Sequence, residues 1–177
     1  MIIRDALSLL AAKVNSSGDL QVVLGAASEF TPIDPLQVAA KLGNACIVSA
    51  GYTAGTDDEV FYIRNTDSID CIVERLIFSA DAVTNFQGFT VTGTAAGGAL
   101  TVVSLNPAIA FARALDIRGG AAVTGLTPVD EFLNLHAIAG TIYDIPVGIR
   151  LSLNDDIAIS STLAVNVSVG AIIRWDP

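Results

Sequence analysis

The alternation of apolar and polar positions is clearest near the C-terminal end of the chain. Leu163, Val165, Val167, Val169, Ala171, Ile173 and Trp175 fall on one side of an extended backbone, and Asn166, Ser168, Gly170, Arg174 and Asp176 on the other. Successive side chains on a strand point to opposite faces, so the pattern predicts one long strand with a buried face. Asn154-Asp155-Asp156 ahead of it is turn chemistry, and residues 157–160 read as the partner run of a closing hairpin.

The same period of two recurs through most of the chain. Residues 60–64 predict a strand and Asn65-Thr66-Asp67-Ser68 a turn. Residues 71–80 are apolar on both faces except for Glu74 and Arg75, which predicts a strand that is central or faces an interface. As neighbours on a regular strand, those two residues are expected on opposite faces. Residues 89–92 and 99–105 flank a Gly-rich segment, 93–98, that reads as a hairpin end. A weaker strand over 113–118 precedes Gly119-Gly120. Over 132–139, Phe132, Asn134, His136 and Ile138 alternate with Leu133, Leu135 and Ala137, and Pro146 marks residues 143–149 as an edge or a corner. Short strands separated by turn residues predict an all-β antiparallel sandwich or barrel.

The N-terminal part departs from this pattern. Ile3, Leu7, Leu10 and Val14 have helical spacing, but the abrupt Asn15-Ser16-Ser17-Gly18 stop is equally compatible with an extended arm. Either form is too short to fold alone and must dock on this subunit or a neighbour. Residues 20–24 read as a first strand. Asp34 suits a cap, Pro35 the first helical position and Gly43 the end, so a short helix is predicted near 35–42, with Leu36, Ala39, Ala40 and Leu42 in its pattern. The expected organisation is an arm or short helix with the first strand over 1–28, a connecting segment over 29–46 and a β-sandwich over 47–177, one domain overall.

Composition narrows the function classes. Hydrophobic residues make up 52% of the 177 and charged residues only 15%, so apolar surface must be hidden in a core and a subunit interface or in a membrane. The longest uncharged run, 82–112, is broken by Gly, Asn and Pro and has strand periodicity, which argues against a spanning helix. Aromatics at 6% are too few for the girdles of an outer-membrane barrel, and Asp5 and Lys13 argue against a signal peptide. The net charge of −9, with the Lys and Arg residues scattered singly, makes nucleic acid a poor partner. Cys46 and Cys71 lie in apolar surroundings and are expected to be buried free thiols, in keeping with synthesis in the cytoplasm.

The chain carries no catalytic signature, and no cofactor or metal is expected. His136 is the only histidine, and one imidazole cannot build the ligand cluster of a cupin-type metal centre. The serines lack a nucleophile-elbow context, and the 93–98 segment lacks the Lys-Ser/Thr of a phosphate loop. Asp57-Asp58-Glu59, Asp130-Glu131 and Asp155-Asp156 match no calcium loop and read as solvated strand ends. Glu74 and Arg75 are expected to pair within the sheet or across a subunit interface. With Ile3, Leu7, Leu10 and Val14 they are the candidate subunit contacts.

The run VFYIRNTDSIDCIVERLIFSAD, residues 60–81, together with DIPVGIRLSLNDDIAIS, residues 144–160, resembles small β-jelly-roll virion proteins of tailed bacteriophages. The opening MIIRDALSLL is similar to the starts of capsid cement proteins. The resemblance covers about half the chain by pattern. It implies a jelly-roll fold and a cement or decoration role on the capsid surface after synthesis in the host cytoplasm. It also implies the major capsid protein as partner and a homo-oligomer, usually a trimer. It transfers no catalytic residue. The alternative is a receptor- or carbohydrate-binding module of a fibre or adhesin, whose sugar contacts would have to come from Tyr52, Tyr62, Tyr143 or Trp175.

Overall fold

The computed structural model describes residues 34–175 in full and, ahead of them, the backbone of three strands. The chain divides into two compact units, Met1–Asp34 and Pro35–Pro177. In the first, β1 (Ile2–Arg4), β2 (Leu10–Val14) and β3 (Leu20–Leu24) form an antiparallel sheet in that order. Leu10 is partnered by Leu24, Ala12 by Val22 and Val14 by Leu20. The helical alternative for the first residues is overturned. A helix this short has to overcome an unfavourable nucleus, whereas the 20–24 run supplies ladder partners for the backbone. Leu7 lies outside the described residues.

The second unit opens with α1 (Pro35–Lys41), where the short helix was predicted. Proline fits its first position because its fixed φ is helical and its missing N–H costs no bond there. Gly43, at φ 73°, ends it: Asn44 N–H donates to Ala39 O at 2.8 Å and Gly43 N–H to Ala40 O at 3.1 Å. These two bonds satisfy carbonyls that the helix end would otherwise leave open.

Nine strands follow: β4 (Ala45–Thr53), β5 (Asp58–Asn65), β6 (Cys71–Ala80), β7 (Thr84–Ala96), β8 (Val103–Ser104), β9 (Leu115–Ala137), β10 (Tyr143–Leu151), β11 (Asp156–Ser161) and β12 (Asn166–Trp175). They form two antiparallel sheets packed as a sandwich. One has the order β10-β6-β12-β4-β8, and the other, β11-β5-β9-β7, closes on itself. Leaving aside the two-residue β8, each strand crosses to the sheet opposite its predecessor except β9, which stays beside β7 in the closed sheet. This strand order makes the unit a jelly-roll-like antiparallel sandwich, in keeping with the predicted all-β fold.

This order overturns both expected hairpins. β11 pairs with β5 and β7, while β12 lies between β4 and β6 in the other sheet. Likewise β7 runs on through the Gly-rich segment to Ala96, paired with β9 rather than with residues 99–105. Period-two alternation reports which face a strand buries, not which strand lies beside it. In a sandwich a short loop serves a crossing as well as a hairpin.

β12 supplies the middle of the core. Val167, Val169, Ala171, Ile173 and Trp175 are each at most 5% exposed and share one buried cluster with Phe61, Ile63, Phe78 and Phe86. The predicted strand began too early: Leu163 is exposed and Val165 half-buried, because residues 162–165 cross between sheets. Thr162 N–H donates to Asn85 O at 3.0 Å and Leu163 N–H to Thr84 Oγ1 at 3.3 Å, both on β7.

β9 joins the two stretches read separately at 113–118 and 132–139 into 23 residues. Its first part pairs with β5 and its second with β7, which closes the sheet and removes its edges. Close approach of β7 and β9 needs glycine. A Cβ on Gly93, at φ 119°, would lie 2.3 Å from Gly125 O. β10, with Pro146, is the edge strand of the five-stranded sheet, as predicted.

Candidate functional site: charge pairs, a polar groove and an apolar loop end

The predicted contact residues Glu74 and Arg75 are both engaged within the five-stranded sheet. Glu74 accepts from Arg174 of β12, and Arg75 Nε lies 2.7 Å from Asp144 Oδ1 of β10. They share the outer face, contrary to the expectation of opposite faces. Val73 and Leu76 are both buried, so the alternation changes phase between them. The pairing explains why: Ile172 faces Arg75 and Ile173 faces Val73, leaving Glu74 as the extra residue of a β-bulge. Ile3, Leu10 and Val14 lie on β1 and β2 of the first unit.

Between the two sheets, the thiols of Cys46 and Cys71 are free and fully buried, as predicted. Burial pushes both up to about 12, and for Cys46 the neighbouring Cys71 adds to the rise. At neutral pH neither is a thiolate, so neither is a nucleophile. His136 is exposed, with Nδ1 2.8 Å from Asn85 Oδ1. Trp175 is buried against Phe111 with ring centroids 5.3 Å apart, and its indole N–H has no hydrogen-bond acceptor among the described residues. Among the described residues, no group of three His, Cys, Asp or Glu side chains is placed to hold a metal ion.

At the end of the sandwich where β5 meets β6 and β10 meets β11, the loops are polar and tightly bonded. Asn65, read as part of a turn, is fully buried. Its Nδ2 donates to Leu151 O at 3.0 Å and Ile69 O at 2.9 Å, and its Oδ1 accepts from Asp67 N–H at 3.0 Å. Beside it is a groove of about 570 Å³ lined by Arg64, Thr90, Thr92, Arg150, Asn154 and Asp156, among others. Arg64 Nη2 donates to Asn154 Oδ1 at 3.1 Å, and Arg150 pairs with Asp70 at 3.1 Å. The Tyr62 hydroxyl donates to Asp156 Oδ2 at 3.0 Å. Burial holds the Asp156 carboxyl above its ordinary value, although the tyrosine bond and Arg64 oppose the rise. Sequence alone gave no signal for this groove, because its residues come from distant strands.

The opposite end is built differently. Residues 54–57, 81–83, 138–142 and 162–165 form loops stitched together by Ala54 N–H to Val165 O (2.9 Å), Asp81 N–H to Asn166 O (3.0 Å) and Gly140 N–H to Ala80 O (2.8 Å). Val83, Ile138, Ile142 and Leu163 stand 46%, 57%, 73% and 49% exposed on these loops. Tyr52 and Tyr143, the candidate sugar contacts nearest this end, are half-buried and bonded, Tyr52 to Asp58 and Tyr143 to the Ile138 N–H. Tyr62 and Trp175 are buried.

Comparison of the chain with protein-family models, with curated proteins and with solved structures finds no match.

Proposed function

We propose that this chain is a structural virion protein of a tailed bacteriophage, a capsid cement or decoration protein that binds between subunits of the head. The observation that carries the reading is the jelly-roll strand order, an architecture recurrent in viral capsid domains. The sequence resemblance and the aliphatic loop end support it. Such a protein would act by burying area across neighbouring capsid subunits, at roughly 1,600 Å² per standard interface. Repetition around a shell would add avidity. On this reading the chain is a homo-oligomer, with a trimer favoured, and its partner is the major capsid protein. The chain should co-sediment with purified particles, and particles lacking it should lose thermal stability. Particles that survive heating equally well without it would sink the reading.

A second reading, a receptor- or carbohydrate-binding module, draws its support from the polar groove. Thr90, Thr92, Asn154 and two arginines offer hydrogen bonds to a polar ligand, and lectins also use jelly rolls. Glycan-array signal lost on Arg150→Ala would favour this reading over the first.

A further inference from the structure

The two ends of the sandwich differ in a way that turn chemistry does not require. Loops that only reverse the chain favour Gly, Pro, Asn, Asp and Ser, and 66–70 (Thr-Asp-Ser-Ile-Asp) and 152–155 (Ser-Leu-Asn-Asp) follow that rule except at Ile69 and Leu153, one exposed aliphatic in each. The opposite loops read Asp-Ala-Val, Ile-Ala-Gly-Thr-Ile and Thr-Leu-Ala-Val, with their largest aliphatic side chains turned to solvent. Their charge is one-sided. Asp57 and Asp81 lie in these loops and Asp58 and Glu59 begin the adjoining β5, whereas none of the four loops contains Lys or Arg. Arg64, Arg113, Arg150 and Arg174 lie toward the other end, where Arg113, Arg150 and Arg174 pair with the chain's own carboxylates.

We propose that this loop end docks onto a partner protein surface whose apolar centre is ringed by Lys or Arg. The centre would cover Val83, Ile138, Ile142 and Leu163, and the basic rim would meet Asp57, Asp58, Glu59 and Asp81. Charge decides between this occupant and the others. A second copy meeting end to end would bring the four carboxylates against their own kind, an unfavourable juxtaposition. Anionic lipid headgroups would be repelled for the same reason. The proposal deepens the cement reading by stating what the capsid surface must offer. The particle experiment tests that reading separately, because the experiment below needs no particle.

The probes are two synthetic peptides of equal charge, one alternating Lys with Leu and one alternating Lys with Ser, titrated into the full chain. Amide NMR shifts are expected to map the Lys/Leu peptide to residues 54–59, 81–83, 138–142 and 162–165. The Ile142→Ser, Leu163→Ser double variant, altered only at exposed positions, should bind it about tenfold more weakly or worse, since each side chain removed from water contributes on that scale. Asp57→Asn, which tolerates the positive φ there, should reduce the salt dependence of binding. The Lys/Ser peptide should bind weakly and without this map. Equal binding of both peptides, shifts centred on the Arg64–Arg150 groove, or an unaffected double variant would each overturn the proposal. So would self-association in sedimentation that the double variant abolishes, which would assign the surface to a second copy.

Discussion

Glu74 and Arg75, adjacent in sequence, stand on the same outer face of the five-stranded sheet and reach in opposite directions, Glu74 to Arg174 and Arg75 to Asp144. The bulge at Glu74 makes this possible and keeps both Val73 and Leu76 in the core. The two pairs differ in worth. Arg75 and Asp144 are 43% and 46% exposed, where solvent screening leaves little net stabilisation. Arg174 is only 11% exposed. Glu74→Ala is therefore expected to cost about 1.5–3 kcal/mol, the range for a hydrogen bond to a charged group. Arg75→Ala should cost well under 1 kcal/mol, within the usual range for exposed pairs. Urea unfolding of both variants checks the order; equal losses would contradict it.

Asn65 ties the β5–β6 and β10–β11 connections together from a fully buried position. Removing its amide leaves the Leu151 carbonyl buried and without this donor. Asn65→Ala is expected to destabilise by about 3 kcal/mol, from lost bonds and unsatisfied partners. Hydrogen exchange should show the loss first at residues 66–70 and 152–155. A loss below about 1 kcal/mol, the value of one ordinary net hydrogen bond, would mean that water replaces the amide readily.

Asp156 supplies an acid-range test. Its folded-state carboxyl titrates above the ordinary 3.8, chiefly through burial. Between that value and the folded one, the native state holds more protons than the unfolded chain, so this group's contribution falls as pH rises through the window. Asp156→Asn retains an acceptor for the Tyr62 hydroxyl and cannot ionise. Its stability relative to the parent should therefore be lowest at acid pH and grow as pH rises toward neutrality. A relative stability that declines over the same range would show that the charged carboxylate, not the neutral acid, is preferred in the fold.

How far the sequence led can be judged from these same residues. The inward-facing run from Val167 to Trp175, the edge strand marked by Pro146 and the helix between Pro35 and Gly43 were all legible. Each is fixed by local chemistry: alternation, a missing N–H, a positive φ. Strand partners were not legible, since β11 and β12 show the same alternation whether they pair or cross. The phase change at Glu74 is invisible until Val73 and Leu76 are seen in one core. Asn65 looked like a turn residue but ends β5, where its side chain accepts from the Asp67 N–H and donates to the distant Leu151 carbonyl. The aliphatic loop residues were read as strand or left unremarked, since only the fold brings residues 83, 138, 142 and 163 to one end.

In alkali the core thiols and Tyr62 act together. Cys46 and Cys71 are pushed from 9.0 up to about 12, and Tyr62 from 10.0 up to about 12, burial being the main cause in each case. The unfolded chain ionises first, so stability should fall as pH rises from about 9 toward 12, the span between those values. Cys46→Ala with Cys71→Ala leaves small cavities and starts less stable at pH 7. Its deficit against the parent should narrow above pH 9. A constant deficit across that range would show that the thiols do not ionise on unfolding there.

The last test concerns the first unit. Residues 1–34 contact one another as a separate cluster, and the jelly roll is completed by strands that all follow Pro35. A chain of residues 35–177 is therefore expected to fold cooperatively, with the β spectrum of the parent and a stability within about 1 kcal/mol of it, since a domain carries its own core. If Ile3, Leu10 and Val14 serve subunit contacts, the truncated chain should also sediment at a lower mass than the full one. The two measurements are independent. A folded truncation with unchanged mass would move the subunit contact into the sandwich itself. A truncation that loses cooperative unfolding would show that the three-stranded sheet completes a core rather than an assembly.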